Sequence, residues 1–121
     1  MRNVAITLKS FFSGFGIPAY TLDSVPDNVT LPYVTYPLTE PEWSGQGNFY
    51  CQVWYPKNQL ADLLTKADQI TAAIGQGIKI EHGAGYVVLY PATPLIQILS
   101  DDYSQSAYIN LLINAYQMPG Y

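Results

Sequence analysis

Charge is scarce in this sequence. Asp, Glu, Lys and Arg make up 12% of its 121 residues, about half the share of an ordinary soluble domain. The five Lys and Arg are scattered from Arg2 to Lys79 in a chain of net charge −4, which leaves no basic stripe to neutralise phosphates. Direct nucleic-acid binding is therefore not expected. There is one cysteine, Cys51, so no internal disulfide can form, and its strand-like surroundings favour a buried thiol over a nucleophile. There is one histidine, His82, and no Cys/His spacing of a zinc motif, so no metal site is expected. The G-x-G pieces at Gly45, Gly75 and Gly83 do not extend to a nucleotide-binding fingerprint and read as turns. No apolar run approaches a membrane span, and Lys9 interrupts the N-terminal apolar residues, so neither a membrane segment nor a secretory signal is expected. No cofactor is implied.

What the chain has instead is tyrosine, eleven copies, within a hydrophobic share of 49%. Tyrosine suits half-buried sheet faces and protein contacts, because it joins an apolar ring to a polar tip. The spacing of Val4, Leu8, Phe11 and Phe12 predicts a short helix over residues 4–12, stopped by Gly14 and Gly16. Residues 19–22 read as a brief extended piece. The stretch VPDNVTLPYVTYPL, residues 25–38, places Pro32 and Pro37 in a strand read over Leu31 to Leu38, which should lie at a sheet edge or begin and end sharply at the prolines. In NFYCQVWY, alternation sets Phe49, Cys51, Val53 and Tyr55 on one face and Tyr50, Gln52 and Trp54 on the other.

A helix follows Pro56, with Asn58 as its cap and Gly75 as its stop. Leu60, Leu63, Leu64, Ala67, Ile70 and Ile74 form its apolar stripe, and Asp62 with Lys66 can pair at i,i+4. Strands are then predicted at 78–80, 86–90 and 94–100, with a hairpin near His82 to Gly85. A turn in DDYSQS precedes a last strand that directs Ala107, Ile109, Leu111, Ile113 and Ala115 inward. Grouped strands without regular crossover helices predict an α+β single domain over residues 1–121: an antiparallel or mixed sheet packed against one long amphipathic helix and a short N-terminal helix.

Asp101-Asp102 could be taken for a metal or acid/base pair, but their setting is ordinary turn composition, and neighbouring strand residues point to opposite faces. Trp43, Trp54 and the tyrosines could stack on sugars or on another protein, and the enrichment of such rings in protein interfaces favours the second.

The succession of these pieces, from "IPAYTLDSVPDNVTLPYVTYPLTEPEW" through "VWYP" and "NQLADLLTKADQITAAI" to "LSDDYSQSAYINLLINAY", resembles the tail terminator (tail completion) proteins of long-tailed bacteriophages. The resemblance spans nearly the whole chain and is one of pattern and order, without a catalytic signature. It implies a non-enzymatic virion protein that caps the completed tail tube as a hexameric ring, ends its polymerisation and offers a docking surface to the head connector. The implied partners are further copies of the chain, the tail tube protein and the head connector or stopper. The implied location is the head-proximal end of the tail, reached by assembly in the host cytoplasm. An acidic ring would keep passing DNA mobile by repulsion. Tyr33, Tyr36, Trp43, Trp54, Asp101, Asp102 and Tyr103 are the expected subunit or partner contacts. Other neck proteins, the head-tail stopper or adaptor, or an aromatic-rich carbohydrate-binding module are the alternatives.

Overall fold

Three strands of 11, 16 and 14 residues dominate the molecule. The computed structural model describes residues 2–38, 46–82 and 85–117. In chain order the elements are α1 (Arg2–Ser13), β1 (Ala19–Thr21), β2 (Tyr33–Tyr36), β3 (Gln46–Pro56), α2 (Leu60–Ile74), β4 (Ile78–His82), β5 (Gly85–Ser100) and β6 (Ser104–Gln117). The strands form one sheet in the order β1-β2-β3-β6-β5-β4. The β1–β2 pair is parallel and every other pair is antiparallel.

The architecture is α+β, but its proportions differ from the expectation of a sheet resting on one long helix. The sheet is mixed, six-stranded and curled, with 50% of the described residues in strand and 27% in helix. The helices, of 12 and 15 residues, are both short. Helix α1 packs against β1 and also against β4 and β5, which lie at the other side of the sheet, so the sheet wraps around it. Helix α2 lies on β3, β6 and β5.

The larger share of strand has a local cause. Residues 86–90 and 94–100, read as two strands, belong to the single strand β5, with a register shift between Pro91 and Ile96. The two prolines cannot donate to the ladder, and that irregularity absorbs them without ending the strand. Of the two expectations for strand β2, the sharp limits hold and the edge position does not. Pro32 and Pro37 do bound it, but it is not an edge, because β1 pairs with its far side.

The core follows the alternation of the strands. Phe49, Cys51, Val53 and Tyr55 of β3 are buried together with Ala107, Ile109, Leu111, Ile113 and Ala115 of β6. From α1 come Val4, Leu8 and Phe12, spaced by four residues on one helix face, and the Phe12 ring stacks on Tyr36 at 4.7 Å. From α2 come Leu63, Ala67, Ile70 and Ile74, whereas Leu60 and Leu64 remain more than 40% exposed. The N-cap position of α2 is Gln59, without a side-chain cap bond. Lys66 does not reach for Asp62: its ammonium donates to the Phe15 carbonyl at 2.6 Å and to Gln69 Oε1 at 2.9 Å, tying α2 to the end of α1. Gly75 ends α2 at a φ of 57°, with its N–H on the Thr71 carbonyl.

Candidate functional site

Both helices pack on the core face of the sheet, and the residues that alternate with the core build an aromatic second face. Cross-strand register places Tyr33 opposite Trp54, and Trp54 opposite Ser106. Tyr33 and Trp54 stack at 6.2 Å with their planes 23° apart, and Tyr20 meets Tyr33 edge-on at 6.0 Å. The Trp54 indole N–H donates to Thr35 Oγ1 at 3.0 Å, which fixes the ring over the strand and buries the threonine beneath it. Further along, Tyr50 stacks on Tyr108 at 4.6 Å and Tyr86 on Tyr116 at 4.8 Å. Gln52 donates to Ser106 Oγ at 2.9 Å between these groups. Two lysines sit over the outermost rings, Lys79 at 4.5 Å from the Tyr86 centroid and Lys9 at 5.4 Å from that of Tyr20.

Next to Trp54 lies the turn between β5 and β6. One carboxylate oxygen of Asp101 accepts from the backbone N–H groups of Tyr103 (2.8 Å) and Ser104 (2.7 Å), and the other accepts from Ser104 Oγ at 3.0 Å. These bonds favour the ionised form and hold the Asp101 carboxyl below its ordinary value, with the nearby Lys57 as a lesser cause. Asp102 is exposed, and Tyr103 projects at 85% exposure from the tip. Burial, and then the Asp101 carboxylate, raise the Tyr33 phenol.

The expected contact residues are thus separated. Tyr33, Trp54, Asp101, Asp102 and Tyr103 share one end of the sheet, on its aromatic face or in the adjoining turn. Tyr36 belongs to the core at 1% exposure, and burial raises its phenol. Its place was readable from spacing, since residues three apart in a strand face opposite ways. Trp43 lies outside the described residues, as does the side chain of His82. Cys51 is fully buried, and desolvation pushes its thiol far above the usual range, so it supplies no nucleophile at neutral pH. Among the described residues no group of His, Cys, Asp and Glu is arranged to hold a metal ion, and no helix is long and apolar enough to cross a membrane.

Two hollows accompany the aromatic face. One, of about 560 Å³, lies where β5 changes register and is lined by Asn48, Tyr50, Thr93, Tyr108 and Asn110 among others. Asn110 Nδ2 is already engaged there by the Pro94 carbonyl at 2.7 Å. The other, of about 120 Å³, lies between Trp54, Leu99 and Asp101.

An aspect absent from the sequence reading is the exposure of β5 beyond its bulge. Gln97, Ile98, Leu99 and Ser100 are all exposed, so both faces of the strand are open there. The signal was present in the run LIQILS, which places apolar residues on both faces and carries no charge.

No family model matches the chain, and no curated protein does. A solved structure with 16% sequence identity superposes with a TM-score of 0.54 over 98% of this chain and 94% of that one. At that identity the likeness is one of fold. Fold and surface together define the class: an α+β protein with a curled mixed sheet that presents an aromatic face.

Proposed function

We propose that the chain is a structural protein of a long phage tail that caps the completed tube as a ring, ends its polymerisation and receives the head connector. The observation that carries this reading is the grouping of Tyr33, Trp54 and the turn Asp101 to Tyr103 at one end of the sheet, with Tyr103 85% exposed. Stacked aromatic rings beside a well-ordered turn give a contact surface that loses little side-chain entropy on association. The order of elements quoted above supplies the link to tail terminators. Asp101 shapes the turn, while Tyr103 and Asp102 stand free to touch a neighbouring subunit or the tube.

The test is a capping experiment with purified tail tubes, followed by electron microscopy. The protein is expected to bind one end of the tube and arrest its growth, and Tyr103→Ala together with Trp54→Ala to weaken capping at least tenfold. Tubes that grow unchecked at saturating protein would refute the reading. A carbohydrate-binding module is the second reading, favoured by the hollow in which Tyr50 and Tyr108 meet the amides of Asn48 and Asn110. Glycan-array binding that disappears in Tyr108→Ala, with no capping of tubes, would decide for it.

A further inference from the structure

The sheet's core layer runs out unprotected at one point. Cross-strand register builds a row on the helix-covered face from Ala19, Val34, Val53, Ala107 and Ile98. The first four are at most 1% exposed, whereas Ile98, at the end of the row, is 42% exposed. The reason is topological: β4 pairs only with Gly85 to Leu89 of β5, and among the described residues no strand pairs with the outer side of β5 beyond them.

The orientation of the unpaired backbone follows from the hairpin. The Asp101 N–H donates to the Ser104 carbonyl, so these two residues occupy a hydrogen-bonded position of the ladder, with the Ser104 N–H taken by the Asp101 carboxylate. In an antiparallel ladder such pairs alternate, so Leu99 with Ser106 and Gln97 with Tyr108 are the next ones. Ile96, Ile98 and Ser100 therefore turn their N–H and C=O groups outward.

The other edges of the sheet are guarded. On β1, Lys9 donates to the Ala19 carbonyl. On β4, Lys79 and Glu81 place a 3.4 Å ion pair on the strand. Such charges discourage strand addition. The stretch from Pro91 to Ser100 carries none.

We propose that this edge pairs with the same edge of a second copy of the chain, antiparallel across a two-fold axis at Ile98. Ile98 then opposes Ile98 of the partner subunit, and Ile96 opposes Ser100 of the partner subunit, so every outward backbone group on both edges meets its complement. A two-fold contact of this kind is self-complementary by construction. It keeps the helices of both copies on one face of the joined sheet, so the two isoleucines close the open core row against each other. It also sets Asp101 of each copy opposite Leu95 of its partner, which keeps the carboxylates of the two turns at opposite ends of the joint. The pairing does not depend on the tail-tube reading, and the capping experiment is a separate measurement.

Light scattering coupled to size exclusion tests the pairing, with folding of each variant checked by circular dichroism. The wild-type chain is expected to reach twice the mass of one chain as concentration rises, and Ile98→Lys to remain a monomer at concentrations at least tenfold higher. Because Cys51 is buried, Ile98→Cys offers a single accessible thiol. A short bismaleimide is expected to join it into covalent dimers, while Ser100→Cys, displaced from its own copy along the joint, and Leu22→Cys, exposed elsewhere, react far less. A monomer at every concentration, an oligomer indifferent to Ile98→Lys, or an oligomer in which Ile98→Cys does not cross-link would each overturn the proposal.

Discussion

Asp101 shows how one side chain can set a turn. Its carboxylate accepts three bonds from the two residues that reverse the chain, and its pKa is lowered for that reason. A group whose folded pKa is depressed contributes stability above its unfolded value, near 3.8 here, and that contribution is lost as pH falls through the lower folded value. Asp101→Asn keeps an acceptor for the two N–H groups but removes the charge. It is expected to melt below wild type at neutral pH, with the two melting temperatures converging as pH is taken below 3.8; a gap that does not change with pH would contradict this account. Phe12 acts by shape. Its ring is fully buried between Tyr36 and Phe49, so Phe12→Ala is expected to cost about 3–5 kcal/mol in denaturant unfolding. Ile6 on the same helix is 58% exposed, and Ile6→Ala is expected to stay within about 0.5 kcal/mol.

At the scale of elements, the hairpin of β4 and β5 depends on a close approach. Gly77 enters β4 at a φ of 153°, and a Cβ there would lie 2.9 Å from Cδ1 of Tyr90. Gly77→Ala should therefore push Tyr90 aside and loosen β4 alone. Amide exchange is expected to speed up at residues 78–82 and to stay unchanged in β3 and β6; uniform acceleration would mean that the hairpin is not a separable unit. What could be read from the sequence divides along the same lines. Strand β3 alternates strictly along most of its length, and in β6 the inward Ala107, Ile109, Leu111, Ile113 and Ala115 were readable from position, although Ser106 and Asn114 on its other face are buried as well. The prolines of β5 look like strand breaks, since sequence alone cannot show that a register shift will absorb them. Whether a strand is an edge is likewise settled by a distant partner: β2 gained one in β1, and the far part of β5 lacks one. The grouping of Tyr33 with Trp54 and Asp101 joins two strands and a turn from separate parts of the chain, so no local pattern announces it.

For the molecule as a whole, the curled sheet and its two helices enclose one core cluster in which Cys51 is a central member. Cys51 pairs with Ile109 across β3 and β6 and has no exposed surface, and burial disfavours its thiolate. A thiol reagent can reach it only when the sheet opens, so its labelling rate serves as a meter of cooperative unfolding. In the native protein Cys51 is expected to resist an aromatic disulfide reagent and to react at the rate of a free thiol once the chain is unfolded in denaturant. Phe12→Ala, which weakens the same core from α1, is expected to accelerate labelling about a hundredfold or more, the factor that corresponds to its loss of stability. Trp54→Ala lies on the opposite face, where its ring stacks on Tyr33, and is expected to change the rate much less than Phe12→Ala. Rapid labelling of the native wild-type protein would show that β3 and β6 separate without global unfolding, and would divide the sheet into independently opening halves.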